Sequence, residues 1–338
     1  MNNVKGVVNV KKWLLAIGFV FLAAIGLVAC SGGSSAGGDN FKVGMAFTGS
    51  KTDGGWCQTA YEGLMKIKSQ LGAEVIFNEN TQPSDYEKIL RDYAKEDCQV
   101  VIGHGYEFTD GAKIVAEEFP NVKFIVTSTD IGNGKNLGSI QNSYQSGFLQ
   151  GIFAANMSDV GVVAGVGGQE IPPIKNDILG YDAGAKYAKA DVQVLTAMTG
   201  SFDDANKLKE QSLSLINQGA DIVMVDADHA GRGGYEAAKE KGHYAIGSIA
   251  PEYDAYKDSL IACANIDMAT AILQTVELVK EGKFEGKNYL KGVEDGIVTF
   301  TYNPALEDKV KPVAKEAVEK AVKEIKDGKL DVMKYIKL

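Results

Sequence analysis

Short apolar runs alternate with amphipathic stretches along the chain from residue 41 onward. The apolar runs are continuous, which indicates strands buried on both faces of a parallel sheet covered by helices. The first part of the chain is predicted to hold strands at 41–47, 73–77, 99–103 and 122–127 and helices at 55–71, 86–94 and 109–118.

The same pattern restarts near residue 143 and predicts a second set of elements. Its helices are expected at 143–157, 174–189, 204–218 and 234–241, and its strands at 160–166, 192–197, 222–225 and 244–249. Strand–helix repeats of this kind build doubly wound α/β units, so the simplest account is two α/β lobes in sequence.

Four further elements follow the second set and have no sheet of their own. They are strands at 259–265 and near 296–301 and helices at 268–281 and 306–326. A crossing back to the first lobe and a return to the second would give each lobe a full sheet. We therefore expect a first lobe of residues 41–140 plus about 262–290, and a second of 141–261 plus about 291–338.

The first forty residues have the layout of a bacterial secretory signal and a tether. A head with three lysines precedes an apolar run at 13–28, and a small-residue cleavage site stands directly before Cys30. This predicts a signal peptide of residues 1–29 whose removal leaves Cys30 as a lipid-modified N-terminus. A Gly- and Ser-rich tether at 30–40 would hold the protein at the outer face of the cell membrane. The alternative is a single transmembrane anchor of similar length.

The composition is that of a soluble globular protein, with 45% hydrophobic and 23% charged residues. A formal net charge of −9 argues against a nucleic-acid partner, which needs a basic face. Cys57, Cys98 and Cys263 are too widely spaced to give a disulfide framework, so we expect them to be reduced and mostly buried. The histidines lack the spacing of a metal site, and neither a metal nor a cofactor is expected.

The loops that follow the strands are where an open α/β sheet binds its ligand. Trp56 comes directly after Asp53-Gly54-Gly55 at the end of the first strand, and Phe202 holds the matching place in the second lobe. If the lobes face each other, the two rings could clamp a planar ligand, which stacking stabilises by about 1–3 kcal/mol per base. The alternatives are a core role for Trp56 and a simple helix start, capped by Asp203 or Asp204, at Phe202.

Polar candidates stand in the same loops. Asp53, Asp226 and Asp228 are expected to accept hydrogen bonds from the ligand, and His104 and Gln145 are weaker candidates at the cleft. A catalytic use of Asp228 beside His229 is the alternative, but no nucleophile motif accompanies this pair.

A series of short motifs runs in a characteristic order through nearly all of the chain beyond residue 40. They are Asp53-Gly54-Gly55-Trp56, Tyr61-Glu62-Gly63, Phe119-Pro120, Gln141-Asn142 through Gly147-Phe148-Leu149-Gln150-Gly151, Gly167-Gly168 with Ile171-Pro172, Gly200-Ser201-Phe202-Asp203-Asp204, Gln218-Gly219-Ala220-Asp221 and Ala245-Ile246-Gly247. In this order the chain resembles the basic membrane protein family of ABC-transporter solute-binding lipoproteins, of the purine nucleoside receptor (PnrA-like) type.

The resemblance implies an α/β type I periplasmic-binding-protein fold, in which two Rossmann-like lobes with parallel sheets are joined by a three-crossing hinge. It implies that Trp56 and Phe202 sandwich a purine base and that acidic residues on facing loops hold the ribose hydroxyls. The implied partners are a small-molecule ligand, an ABC permease and, through the lipid anchor, the membrane. The implied protein is a monomer that is not an enzyme and has no nucleic-acid partner.

Three positions depart from the family pattern. Cys57 stands where members often carry an Asn that helps to read the base, and the turn at 247–252 lacks the Asp that holds the ribose. Asp267 or its neighbour Ile266 replaces a Lys seen in some members. The expected function is therefore capture of a purine nucleoside or related planar heterocycle for a permease. The alternatives are a receptor for a free nucleobase, a flavin or another small solute, and an exported nucleoside-processing enzyme.

Overall fold

The first lobe is built from alternating strands and helices, of which the first begins at Lys42. The computed structural model describes residues 41–142 and 144–337. The elements of this part are β1 (Lys42–Phe47), α1 (Trp56–Leu71), β2 (Glu74–Asn78), α2 (Tyr86–Lys95), β3 (Val100–His104), α3 (Thr109–Glu118), β4 (Lys123–Thr127) and β5 (Leu137–Asn142). The proposed signal, Cys30 and the tether lie outside the described residues.

The second lobe repeats this alternation. Its elements are α4 (Gln145–Met157), β6 (Val162–Gly167), α5 (Pro172–Ala188), β7 (Gln193–Met198), α6 (Ala205–Asn217), β8 (Ile222–Asp226), α7 (Arg232–Lys241), β9 (Tyr244–Ile249) and β10 (Leu260–Ile266). The chain then forms α8 (Met268–Lys280), β11 (Asn288–Lys291), β12 (Val298–Tyr302) and α9 (Pro312–Lys326).

Each lobe holds one six-stranded sheet. The first sheet has the order β11-β5-β4-β3-β1-β2, and all its strand pairs are parallel. The second has the order β12-β10-β9-β8-β6-β7 and is parallel except for β12, which runs antiparallel to β10. The chain passes between the lobes after β5, after β10 and between β11 and β12, which makes three crossings. This is the architecture expected of two Rossmann-like lobes.

Apolar clusters cover both faces of each sheet, as continuous apolar strands require. In the first lobe Val43 and Met45 point into one cluster, whereas Ala46 and Val101 point into the other. A slip of one residue in register would turn every side chain to the opposite face and disrupt the packing of both clusters, so the strand ends are held in place. Those ends carry the loops of the cleft.

The structure differs from the sequence prediction in how the late elements are distributed. β10 pairs with β9 and β12 in the second sheet, so the return to the first lobe comes after Ile266 and not near residue 262. The pattern also missed β5 and β11, which pair with each other at one edge of the first sheet. Both strands carry several polar residues and so lack an apolar run. The last helix begins at Pro312 and not at 306, because residues 304–309 form a separate 3-10 turn.

Candidate functional site

A cleft of about 290 Å³ opens between the two lobes at the carboxyl ends of the strands. This lies at the small end of the range for ligand pockets, about 300–1,000 Å³. Four aromatic and five acidic side chains contribute to its wall: Trp56, Tyr86, Tyr106, Phe202, Glu107, Asp177, Asp203, Asp226 and Asp228. None of the described residues that line the cleft is Lys or Arg. The cleft therefore offers flat apolar faces and hydrogen-bond acceptors, with no cationic side chain for an anion.

Trp56 lines the cleft at the first position of α1 and is half-buried. Its inner face is covered by the ring of His104, whose centroid lies 4.3 Å away at an interplanar angle of 26°. Nε2 of His104 lies 3.1 Å from the Trp56 carbonyl oxygen. The structure does not bring His104 to the cleft wall, because the imidazole is fully buried beneath the indole, and a direct contact with the ligand stays a prediction.

Phe202 lines the same cleft from the second lobe. Its ring lies on the backbone of Gly168, where a Cβ would stand only 2.5 Å from the ring. Its carbonyl accepts a hydrogen bond from the Ala230 N–H at 2.7 Å. Asp204, and not Asp203, caps the following helix, since its Oδ1 accepts from the Lys207 N–H at 3.0 Å. The structure thus brings Trp56 and Phe202 to one cavity, while their stacking role stays a prediction.

Asp53 is not among the residues that line this cleft, and its carboxylate is hydrogen bonded to the protein backbone, so its role as a ligand acceptor stays a prediction. Its two carboxylate oxygens accept from the backbone N–H groups of Gly55, Cys57 and Gln58 at 2.8, 2.8 and 3.1 Å. These N–H groups belong to the start of α1 and have no partner within the helix. Asp53 therefore holds the helix that presents Trp56.

Gln145 belongs to the hinge. Its Oε1 accepts from the Val293 N–H at 2.7 Å, and its Nε2 donates to both carboxylate oxygens of Glu294 at 3.0 Å. Val293 and Glu294 lie on the crossing between β11 and β12, so Gln145 joins two crossings to each other. The structure does not place Gln145 in the cleft wall, because both ends of its amide are used in this bridge, and its contact with a ligand stays a prediction.

Asp226 ends β8 and lines the cleft beside Asp177 of α5, to which its carboxyl is hydrogen bonded. Asp177 also accepts from the Ser146 hydroxyl and, at 2.8 Å, from the Gly147 N–H. Burial, followed by the charge of Asp177, raises the pKa of Asp226 well above its usual value. The pair therefore shares one proton at neutral pH, with the Asp226 O–H donating to the Asp177 carboxylate.

Asp228 reaches across the cleft to the start of α1 and receives a hydrogen bond from the Trp56 N–H. Burial, followed by the nearby charge of Asp53, raises the pKa of Asp228 to about 7. The residue adopts φ = 45°, in the left-handed region. Arg232 of the same loop contacts Glu252 at 3.0 Å.

Cys57 lines the cleft next to Trp56 and is buried. Burial and the charge of Asp53 raise the pKa of its thiol to about 12, so the side chain is a neutral thiol at physiological pH. Cys98 and Cys263 are likewise buried and free. The Cys57 thiol is therefore an uncharged group in the wall of the cleft.

Sequence reasoning missed several residues of the cleft wall. Tyr106 and Glu107 lie in the loop after β3, which is one of the loops where an open α/β sheet binds its ligand. Neither residue is among the candidates that the sequence indicates. Asp177 gave a different signal: it is an acidic residue three positions after the buried Ile174, on the inward face of α5. An acidic residue at a helical position that is otherwise apolar predicts a buried carboxyl group with a hydrogen-bond partner.

The catalytic alternative gains no geometric support. His229 is exposed and its Nδ1 contacts Arg232 at 3.0 Å, so it does not pair with Asp228. Within the described residues, no cluster of three or more His, Cys, Asp and Glu side chains is arranged to hold a metal ion.

Over residues 41–142 and 144–337, no helix is both long and apolar enough to span a bilayer.

Comparison with known sequences identifies relatives over nearly the whole described chain. Residues 41–332 match the Bmp family, described as ABC transporter substrate-binding protein PnrA-like. Basic membrane protein A of Borreliella burgdorferi is 29% identical over 298 residues, which is 85% of this chain and 87% of that protein. A purine-binding protein of Brucella abortus is 24% identical and covers 89% of this chain and 85% of its own length.

Comparison with solved structures supports the fold. An ABC transporter solute-binding protein from Aeropyrum pernix superposes with a TM-score of 0.77 at 20% identity. The match covers 86% of this chain and 92% of that one. The two-lobed arrangement with three crossings is therefore the type I periplasmic solute-binding fold.

Proposed function

The chain belongs to the PnrA-like ABC transporter substrate-binding family, and we propose that it captures a purine nucleoside or a related planar heterocycle and delivers it to a permease. The observation that carries the proposal is the placement of Trp56 and Phe202, which come from different lobes and line one cavity. A flat aromatic ligand could contact both rings only when the lobes are close together. The relative from Brucella abortus, named as purine-binding, supports the same ligand class.

The charges of the cleft support a neutral, donor-rich ligand. Ribose hydroxyls and purine amino groups donate hydrogen bonds, and the Asp228 carboxyl group and the carbonyl oxygen of the protonated Asp226 lie in the wall to accept them. A phosphorylated ligand would bring further negative charge to a wall with five acidic side chains, which costs free energy in a partly buried site. The proposed ligand is therefore a nucleoside and not a nucleotide.

The proposed mechanism is closure of the lobes on the ligand, without chemistry. A ligand that contacts both lobes stabilises the closed state by its difference in affinity for the two states. The hinge has three crossings, and hinge closure is a common response of two-lobed binding proteins. Solute-binding proteins are not enzymes, and we propose that this chain likewise converts nothing.

We place the working protein outside the cytoplasm, as for other ABC substrate-binding proteins, and propose a lipid anchor at Cys30. The anchor would keep a monomer close to the permease, while the tether at 30–40 gives it reach. Labelling with a radioactive fatty acid, compared between the wild type and Cys30→Ala, tests this part. Equal labelling of both proteins would contradict it.

A receptor for a free nucleobase or a similar ring compound is the second candidate. Ile249 lines the cleft within the turn at 247–252, for which the family resemblance implies an Asp that holds the ribose. Glu252 of the same turn is engaged by Arg232 at 3.0 Å. If neither residue holds a sugar, the ribose would depend on Asp226 and Asp228 alone.

Calorimetric titration against adenosine, guanosine, inosine and the matching free bases tests the proposal and separates the two candidates. A nucleoside that binds at least tenfold tighter than its base supports the nucleoside assignment, and the reverse order supports the nucleobase. Matching 5′-monophosphates should bind much more weakly. No binding to any purine would overturn the proposed ligand class, and release of free base during the titration would indicate an enzyme.

A further inference from the structure

We propose that His104 and Thr127 are positioning residues that hold the Trp56 indole in its orientation and leave only its cleft face open to the ligand. This inference rests on the proposed function only in assuming that Trp56 stacks on the ligand. Neither residue lines the cleft, so both act through Trp56.

The imidazole of His104 contacts Trp56 in two ways. Its ring is stacked on the indole at a centroid distance of 4.3 Å, and its Nε2 lies 3.1 Å from the Trp56 carbonyl oxygen. A carbonyl only accepts, so Nε2 carries the proton and donates it. The histidine thereby holds both the side chain and the backbone of the first residue of α1.

Thr127 fixes the orientation of the imidazole through a hydrogen bond to its other nitrogen, Nδ1. Its Oγ1 lies 3.0 Å from His104 Nδ1 and 2.9 Å from the backbone nitrogen of Gly105. The Gly105 N–H donates to Oγ1, so the hydroxyl proton is free to donate to Nδ1. The directions of the three hydrogen bonds agree, since Gly105 donates to Thr127, Thr127 donates to His104, and His104 donates to Trp56.

The strands of the first sheet carry this chain of hydrogen bonds. His104 and Thr127 end β3 and β4, which are neighbours in the sheet, and both side chains are fully buried. Such a support is rigid because every donor and acceptor in it is used. A binding group that is already held in its bound orientation loses less entropy when the ligand arrives.

The support works with a neutral imidazole. Burial lowers the pKa of His104 to about 4, so the ring carries no charge at physiological pH. Besides Trp56 and Thr127, the ring faces Phe47 at a centroid distance of 6.0 Å, and the charged group that acts on it is Asp53. A proton on Nδ1 would remove the acceptor that Thr127 needs, so acid should loosen the indole.

Tryptophan fluorescence tests this support without knowledge of the ligand. The chain has two tryptophans, so Trp56 is the only one in a full-length Trp13→Phe background. Three variants alter the support: His104→Ala removes the ring and the donor, His104→Gln keeps an amide donor, and Thr127→Val removes the hydroxyl. Val101→Ala is the matched control, since Val101 is buried in β3 and belongs to the cluster on the opposite face of the sheet.

In the ligand-free protein, His104→Ala should shift Trp56 emission to longer wavelength and increase quenching by acrylamide. Thr127→Val should change both in the same direction by less, and His104→Gln should recover part of the wild-type signal. The affinity for the nucleoside identified by titration should fall about tenfold in His104→Ala. The loss is only about tenfold because a loosened indole keeps part of the free energy that base stacking contributes. Val101→Ala should lower the melting temperature and leave emission, quenching and affinity unchanged.

The positioning role is overturned if emission and quenching of His104→Ala and Thr127→Val match the wild type. It is equally overturned if Val101→Ala changes them to the same extent, because the effect would then be general loosening. Failure of the wild type to bind purines would refute the proposed ligand and leave the fluorescence comparison fully readable.

Discussion

Asp228 of the second lobe lies against Gly55 of the first lobe, with Oδ1 2.8 Å from the place where a Cβ on Gly55 would stand. The next residue, Trp56, donates its backbone N–H to the same carboxyl group. The lobes therefore meet at the residue that precedes the proposed stacking platform. A glycine at this position allows the approach, since any side chain would collide with Asp228.

Gly55→Ala should weaken ligand binding by hindering this approach. The added methyl would lie well inside the contact distance of Asp228 Oδ1, so either the carboxyl group must turn away from the start of α1 or the lobes must remain further apart. We expect a lower affinity and, by small-angle scattering with ligand present, a larger radius of gyration than in the wild type.

The double variant Gly55→Ala with Asp228→Ala is the control, because a shorter side chain at 228 removes the collision. A non-additive recovery of the compact form would support a direct contact between the two positions. Equal scattering of Gly55→Ala and wild type would show that the lobes do not need this approach.

Trp56→Ala should weaken nucleoside binding by about 10- to 100-fold, because base stacking contributes about 1–3 kcal/mol and each 1.4 kcal/mol is a factor of ten. Phe202→Ala should have an effect of similar size from the other lobe. Trp56→Phe keeps a flat ring and should retain most of the affinity. Titration calorimetry measures all three, and an unchanged affinity in Trp56→Ala would remove the stacking arrangement.

Asp228→Asn should stabilise the protein more at pH 8 than at pH 4. Burial and Asp53 raise the pKa of Asp228 to about 7 in the folded protein, so the folded state binds this proton more tightly than the unfolded chain. Stability falls with pH where the folded state holds more protons, so the cost of ionising Asp228 grows from about pH 4 to about pH 7 and is constant above that.

Urea unfolding at a series of pH values measures this difference. We expect the variant to exceed the wild type by about 1–2 kcal/mol at pH 8, less than ideal linkage because the side chain is partly exposed. The gain should vanish near pH 4, where the carboxyl is protonated in most folded molecules. A gain of the same size at both pH values would contradict the assignment.

Asp226→Asn and Asp177→Ala should affect stability very differently at pH 7. An Asn at 226 keeps an N–H that donates to Asp177, so the free energy of unfolding should change by less than about 0.5 kcal/mol. Asp177→Ala removes the acceptor for Asp226, Ser146 and Gly147 and should cost about 2–3 kcal/mol. Similar losses in both variants would show that the two carboxyls do not share a proton.

Three residues that the sequence marks as candidates for the site make their contacts in this structure with the protein itself. Asp53, His104 and Gln145 all carry polar groups near strand ends or hinge crossings. Each of these side chains forms hydrogen bonds with other residues of the protein. The partners of His104 and Gln145 lie 48 and 148 residues away along the chain, so no local pattern indicates them. Whether a polar group meets a ligand or the protein depends on contacts that the fold creates.

The sequence alone determined the alternation of strands and helices and their division into two lobes. It also determined that Trp56 and Phe202 follow the ends of strands. Apolar periodicity is a local property, and parallel strands always end at the same edge of their sheet. The tertiary structure alone decided the pairing of β5 with β11, the place of β10, and the neighbours of His104, Asp177 and Asp228. These depend on residues far apart in the chain that approach each other only after the sheets have formed.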